Sequence, residues 1–446
     1  MTVKFSDLFS GIGGFHAVGE AFGWSNVYAC DIDQKAREVY EKNWGIKPNF
    51  DLTIDANDSA MQIPKHDVLF AGFPCQPFSK SGKQRGMDEA RGTLFWNIAK
   101  VIEKRKPKII VLENVANLAG PRHRHEWEVI LRTLREFGYR VSDEPLIISP
   151  HQIKRNYGGR PQNRPRIYIL ATFVPVRLRN RYPLSTFGIE TREFSVAKDE
   201  MDWNLKVDLG SKAIKRVKSQ DSLKLNESEL YWLNLWEDLL QQFIYKTGES
   251  RLPGFPIWAD VWLGNMKVRR DDPIWKKDFI FKNLDFYESN RRKIDKWLRG
   301  AEYLAALPPS RRKFEWQAGD SKSIFECLIQ LRPSGIRVKR ANYAPAAVAI
   351  TQTPILGHLL RRLSIEEVSY LQGNPTWFDF GGQSDNQTYR QLGNGISVGA
   401  AFQTIRALID RDEDILMNTC PEIVTSVRSA PKNPDVALKR LRTSLF

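Results

Sequence analysis

Phe73-Pro74-Cys75-Gln76 is the stretch of this chain with the clearest chemical potential. It follows Asp67-Val68-Leu69-Phe70-Ala71-Gly72, an apolar run that predicts a short buried strand ending in glycine. A thiol delivered at a strand end sits where α/β enzymes place their reactive groups. The next residues, Pro77-Phe78-Ser79-Lys80-Ser81-Gly82-Lys83-Gln84-Arg85-Gly86, have no apolar period and are rich in small and basic types. That composition suits a cationic loop closing over an anionic partner, and positive neighbours favour a thiolate at Cys75. By itself a lone cysteine is more often a buried structural residue, so the surrounding residues decide. Glu113-Asn114-Val115 follows the apolar run Lys108–Leu112 directly, making Glu113 either a candidate acid at the same sheet edge or a solvated cap. Gln162-Asn163-Arg164-Pro165-Arg166 puts two arginines at alternate positions entering a strand, where both can face one side. Arginines so placed hold phosphate or carboxylate bidentately, or form a plain edge-strand charge pair.

A second group of residues suits ligand binding. Asp7-Leu8-Phe9-Ser10-Gly11-Ile12-Gly13-Gly14-Phe15 reads as a strand running into a glycine turn and a helix. Glycines there let a ligand approach the backbone and expose helix N-terminal amides, although many such turns are merely tight. About 20 residues on, Asp31-Ile32-Asp33 ends the next strand, where a carboxylate can take ribose hydroxyls. Asp51, in Asp51-Leu52-Thr53, is the third acidic candidate at a strand end. A P-loop lysine is missing, which favours a nucleoside cofactor without phosphates over a dinucleotide.

The elements that must position these residues alternate. Strands are expected at Val3–Phe5, Asn26–Cys30, Val68–Ala71, Lys108–Leu112 and Arg166–Phe173. Between them lie helical stretches at Phe15–Ala21, Gln34–Asn43, Thr93–Lys104 and His125–Phe137. This is the signature of an α/β fold, a doubly wound, mixed but mainly parallel sheet. From about residue 175 the pattern breaks into an irregular, tryptophan-rich second lobe. Order returns at Ser364, which with Glu367 forms a capping-box pattern, and an alanine-rich helix follows over Ser397–Ile409.

Composition narrows the class. The chain has 446 residues, 42% of them hydrophobic, and no apolar run near the roughly 20 residues of a membrane helix. Its first residues turn acidic and lack a secretory hydrophobic region, and its four scattered cysteines and six histidines suggest neither disulfides nor a metal site. A reducing, cytoplasmic setting is expected. The net charge of +15 points to a polyanion. Residues 265–340 hold 19 Lys/Arg against 10 Asp/Glu, interleaved with aromatics including Trp275, Phe281, Trp297, Tyr303, Phe314 and Trp316.

Read in order, these segments resemble the carbon-5 cytosine DNA methyltransferases of bacterial restriction–modification systems. The matching stretches are Asp7–Phe15, Asp31–Asp33, Asp51–Thr53, Gly72–Ser79, Arg91–Phe95, Glu113–Val115, Gln162–Arg166, Arg361–Pro375 and Gln391–Asn394. The resemblance implies S-adenosyl-L-methionine as methyl donor, a flipped-out cytosine in a specific double-stranded DNA sequence as acceptor, and a cognate restriction endonuclease as functional partner. It implies a monomer with a Rossmann-like catalytic domain over 1–175 and a target-recognition domain over 176–356. An organising segment over 357–390, a returning helix over 391–410 and a peripheral tail over 411–446 complete the expected division.

Carried over by position, the resemblance makes Cys75 the nucleophile and Glu113 the acid, with Arg164 and Arg166 holding the base oxygen. Phe9 stacks on adenine, Gly11, Gly13 and Gly14 shape the pocket, Asp31 takes the ribose, and Asp51 takes the adenine amine. Pro74, Leu94 and Asn394 line the cavity. Ile32 stands where relatives often carry tryptophan. DNA contacts are expected from Ser79, Ser81, Lys83 and Arg85 in the loop, and from Arg332, Arg337, Lys339 and Arg340 in the second lobe. Duplex binding is expected to weaken steeply between low and moderate salt, as a fluorescence-anisotropy titration will measure, because phosphate contacts release counterions.

Overall fold

The computed structural model describes residues 2–74, 93–196, 201–209, 221–244, 252–347 and 353–443. Cys75, Ser79, Ser81, Lys83 and Arg85 lie outside them. The chain divides into two compact units: Met1–Asp202 with Ala346–Ala349 and Val368–Phe446, and Trp203–Pro345 with Ile350–Glu367.

The first unit is built on an eight-stranded sheet. Its strands are β1 (Lys4–Leu8), β2 (Ser25–Cys30), β3 (Val68–Gly72), β4 (Ile109–Val115), β5 (Tyr139–Ser142) and β6 (Leu146–Ile148). A two-residue strand β7 (Gln162–Asn163) precedes β8 (Arg166–Phe173), and β9 (Ser185–Thr186) follows. The sheet order is β2-β1-β3-β4-β8-β5-β9, with β6 also on β8. The four strands β2, β1, β3 and β4 run parallel, and β8 then pairs antiparallel with β4. Parallel strands covered on both faces read as continuous apolar runs, which is why Leu69-Phe70-Ala71 and Ile109–Leu112 are entirely buried.

Side chains alternate between two cores. Phe5, Phe70 and Val111 face one side with Phe15, Val18 and Phe402, while Leu8, Leu69, Ala71, Ile110 and Leu112 face Ile98, Ile102, Ile130 and Leu134 on the other. The helices α1 (Gly14–Ala21), α2 (Gln34–Trp44), α3 (Leu52–Asn57), α4 (Leu94–Arg105) and α5 (Arg124–Glu136) link the strands. Local signals set their ends. The Asp33 carboxylate accepts from the amides of Lys35 and Ala36, Thr93 caps α4, and Gly45 closes α2 in the left-handed region.

The C-terminal segment differs from the expected peripheral tail. The helix Val398–Met417 continues past Asp410, and the helices Pro421–Ser429 and Pro434–Thr443 follow. Ile423, Val424 and Val427, spaced as one helical face, are buried in the same core as Phe5 and Phe402. Trp24 Nε1 donates to Ser426 Oγ at 2.7 Å, and Arg160 Nη2 donates to both carboxylate oxygens of Asp435 at 2.7 and 2.8 Å. The boundary expected at 175 likewise moves, since the first unit runs on to Asp202.

In the second unit six strands order as Ile257–Trp258, Lys313–Gln317, Gly335–Lys339, Leu328–Arg332, Ile355–Leu356 and Arg361–Arg362. Many of its aromatics form the core. Trp236 stacks on Phe314 at 4.8 Å and lies 5.3 Å from Trp297, whereas Trp275, Phe281 and Tyr303 are exposed. Ser364 and Glu367 cap each other's backbone amides, and the same carboxylate takes a two-pronged ion pair from Arg361 at 2.8 Å.

Asp412 is completely buried where the helix Val398–Met417 kinks, and its carboxylate accepts from Arg140 Nε at 3.1 Å, Thr172 Oγ1 at 2.7 Å and Arg411 Nη2 at 2.5 Å. Asp412→Ala leaves two largely buried arginines without a counter-charge. Urea unfolding is expected to register a loss of about 3–5 kcal/mol, with Asp412→Asn losing less.

Candidate active site

The carboxyl ends of β1, β2, β3 and β4 reach the same edge of the sheet, because Leu8 pairs in register with Cys30 and Ala71, and Gly72 with Glu113. This edge is where open α/β sheets bind ligands. At the end of β1, Phe9 takes a positive φ of 58°, a conformation unusual for a bulky residue and characteristic of functional turns. Gly11 (φ 51°) and Gly13 (φ 93°) continue the turn in the left-handed region. The Gly11 amide donates to Asp31 Oδ2 at 2.8 Å and the Asp33 amide to Asp31 Oδ1 at 2.8 Å. Asp31 thus ties the ends of β1 and β2 together. Burial, the largest influence, raises its pKa against these backbone donors.

Neighbouring residues complete the turn from one side. A β-carbon on Gly13 would lie 2.1 Å from Trp44 Nε1, which itself donates to the Ile12 carbonyl at 3.2 Å. Around Gly11 the described residues leave open space, with no atom within 4 Å of where a β-carbon would stand. Asp51 is brought beside β2 because Asn49 exchanges backbone hydrogen bonds with Ala29 and Asp31. It is not a strand end as expected: it N-caps α3, accepting from the Thr53 amide at 2.7 Å. Ile32 is 69% exposed. Pro74 is exposed beyond β3, Leu94 opens α4, and Asn394 ends the helix Asp385–Asn394 with its side chain in solvent.

Glu113 is the buried acid at this edge. Its Oε1 pairs with Arg166 Nε at 3.1 Å, both side chains being largely covered. Desolvation pushes its pKa above the usual carboxylate value, against the pull of Arg166 and then Arg164. The following residue, Asn114, donates from Nδ2 to the Phe73 carbonyl at 2.8 Å. That bond fixes the chain immediately before Pro74-Cys75, a role that residue types alone did not reveal.

The two arginines do not share a function. Arg166 meets Glu113, but Arg164, 2% exposed, turns into the protein and donates to the carbonyls of Ala347, Gly393 and Gly395 at 3.1, 2.9 and 2.6 Å. Arg164, expected to hold the base, instead gives three of its N–H groups to these carbonyls, and Arg166 is the arginine paired with Glu113. Ile396, another residue unmarked by motif reasoning, lies 3.0 Å from a β-carbon placed on Gly14 and 3.1 Å from one on Gly72. Gly72 in turn is beside Glu113 Oε2, 3.7 Å from the same constructed atom.

A profile of the C-5 cytosine-specific DNA methylases matches residues 3–410. The chain belongs to that family. Over 93% of its length it is 42% identical to the type II methyltransferase M.AluI of Cellulosimicrobium cellulans, and the match takes in 94% of that protein. The type II methyltransferase M.HhaI of Haemophilus parahaemolyticus is 40% identical over a shorter span, 40% of this chain and 51% of its own. Among solved structures, the S. pombe Dnmt2 methyltransferase covers 92% of this chain and 99% of its own at 19% identity, with a TM-score of 0.46 that is too low to bear on function.

In the second unit of this methylase, Arg332 and Arg337 both pair with Glu315 Oε2, at 2.5 and 2.9 Å, and Arg340 pairs with Asp320 at 2.7 Å. These arginines, expected to contact DNA, are ion-paired within the unit, and Glu315 sits opposite Arg337 in the parallel register of their strands. Lys339 is half-buried at the end of the same strand. No group of three or more potential metal ligands occurs among the described residues, and none of their helices is long and apolar enough to cross a membrane.

The turn makes a clear distinction between its glycines. Gly11→Ala meets no neighbour and is expected to lose only about 1–2 kcal/mol, for its left-handed backbone. Gly13→Ala must also displace the Trp44 indole, adding roughly 1–3 kcal/mol of overpacking. Chemical denaturation of the two variants checks the order.

Proposed function

We propose that this methylase transfers a methyl group from S-adenosyl-L-methionine to carbon-5 of a cytosine flipped out of a specific duplex sequence, and so protects host DNA from a cognate restriction endonuclease. The observation that carries this reading is Glu113, a buried carboxyl with a raised pKa, paired with Arg166 and beside the strand that leads to Pro74-Cys75. The residues at the sheet edge fit the cofactor. Phe9 offers a ring, Gly11 leaves room for close approach, and Asp31 keeps further lone pairs on oxygens that each accept one backbone donor. Asp51 has a second carboxylate oxygen beyond the one that caps α3. Pro74, Leu94 and Asn394 complete the proposed lining. Ile32, in place of an aromatic residue, supplies aliphatic contact only. The bound cofactor supplies an electrophilic sulfonium methyl.

The chain's own residues prepare the acceptor. Carbon-5 of cytosine is a poor nucleophile until the Cys75 thiolate adds to carbon-6, breaks the aromaticity and makes carbon-5 enamine-like. Protonated Glu113 hydrogen-bonds ring nitrogen 3 and the exocyclic amine and stabilises that adduct, its burial raising its pKa in the required direction. Arg166 holds the base oxygen, a reading its ion pair with Glu113 supports. Once carbon-5 is methylated, its proton leaves to water and Cys75 is expelled. These contacts are out of reach in a stacked duplex, so the base must be extruded. The loop bearing Ser79, Ser81, Lys83 and Arg85 grips phosphates around it. The second unit, with Lys339 and the ion-paired Arg332, Arg337 and Arg340, supplies the second basic DNA surface. As an enzyme acting on host DNA, the protein works in the cytoplasm, as a monomer.

Bisulfite sequencing of plasmid DNA from cells expressing the protein is expected to reveal one methylated cytosine within one sequence word. Cys75→Ala is expected to abolish methylation while retaining duplex binding, and full activity in that variant overturns the nucleophile. Glu113→Gln should lower kcat about 10²–10⁴-fold, as for loss of a general acid. In the wild type, turnover should fall as pH rises through the raised pKa of Glu113, because its proton is then lost.

A further inference from the structure

Arg164 is a costly residue to keep where it is. Its guanidinium is buried, and desolvation first and the neighbouring Arg166 second lower its pKa to about 10. Its environment shows what the charge holds. The backbone amide is fixed by Ser149 Oγ at 2.8 Å, so the side chain starts from a rigid base. Nη2 donates to the carbonyls of Gly393 and Gly395, and these two peptides bracket Asn394. One residue further, Ile396 packs over Gly14 of the glycine turn and Gly72 at the end of β3. The helix end and turn Gly393–Ile396 therefore touch the proposed cofactor pocket and the proposed base site at once, and Arg164 is what grips their backbone. The planar fork spans three carbonyls, with Nη2 on Gly393 and Gly395 and Nη1 on Ala347, which the single nitrogen of an ammonium does less well.

We propose that Arg164 is a positioning residue: by holding the carbonyls of Gly393 and Gly395 it seats Ile396 on the glycine turn and fixes the backbone of Asn394 between them, so that the cofactor pocket is assembled before the donor arrives. It does not touch the base. This role rests on the reading of that pocket as the S-adenosyl-L-methionine site.

The test uses the full chain with Arg164→Met, Arg164→Lys, Ile396→Ala and Arg166→Lys, measuring S-adenosyl-L-methionine affinity by calorimetry together with kcat and KM for both substrates. Arg164→Met is expected to weaken cofactor binding about 10- to 100-fold, the loss typical of hydrogen bonds to a charged group. Arg164→Lys should recover part of that loss, and Ile396→Ala should shift affinity in the same direction, all with KM for DNA little changed. Arg166→Lys should lower kcat with cofactor affinity intact. A fall in kcat without loss of cofactor affinity in Arg164→Met overturns the positioning role and returns Arg164 to the base. If Arg164→Met does not fold, Ile396→Ala decides, and unchanged cofactor affinity in it overturns the role. Absence of S-adenosyl-L-methionine binding by the wild-type chain overturns the donor itself and the role with it, whereas unaltered variants of a binding wild type overturn the role alone.

Discussion

Parallel pairing of β1 with β2 and β3, and of β3 with β4, obliges four strands to release the chain at one edge of the sheet. Each release point carries a polar residue or a turn that solvent-filled space can accommodate and a packed core cannot. Phe9 to Gly14, Asp31, the Gly72–Pro74 exit and Glu113 are neighbours for that reason alone. The antiparallel strand β8 enters at the same edge, with Arg166 opposite Val115 and Tyr168 opposite Glu113. That register delivers a guanidinium to the carboxyl of Glu113. Without it the acid would be buried with no partner, at a cost in stability of several kcal/mol.

The edge is held by hydrogen bonds between the loops themselves. Asp31 joins the first two strand ends through the Gly11 and Asp33 amides, Asn114 joins the third and fourth through the Phe73 carbonyl, and Arg164 adds the Gly393–Gly395 loop. Backbone carbonyls and amides near such a site need partners as much as any buried group does. Using side chains from neighbouring strand ends to satisfy them also fixes the spacing between loops. An arrangement of this kind suits the proposed chemistry, in which an acid, a thiol and a methyl donor must meet one base.

Charge plays two parts in this protein. In the second unit several arginines are internally paired: Glu315 serves Arg332 and Arg337, Asp320 serves Arg340, and Glu367 serves Arg361. A carboxylate shared by two arginines still leaves a net positive charge, without either guanidinium being free to swing. In the first unit, by contrast, Asp412 and Asp435 neutralise arginines in order to dock the C-terminal helices. The same residue types, counted together in the composition, pair within the second unit and dock C-terminal helices in the first.

Much of the first unit was legible in the residues because its signals are local. An apolar run, a glycine turn and a capping aspartate act within a few positions, and the five strands and four helices expected between Val3 and Phe173 lie within a few residues of where the pattern put them, while α3, β5, β6 and β7 were not anticipated. The ordered motifs likewise named the family. Spacing could not choose between Arg164 and Arg166, because alternate positions on a strand share a face. What separates them is the β4–β8 register and a loop 229 residues away in the chain. Nor could composition tell that residues after Asp410 complete a core face, or that Glu315 neutralises Arg337 across two strands. The chain by itself determined which elements form and which chemical groups are present. Only the tertiary structure decided which group each charge meets, because a buried ion is governed by whichever partner the fold brings within about 3 Å.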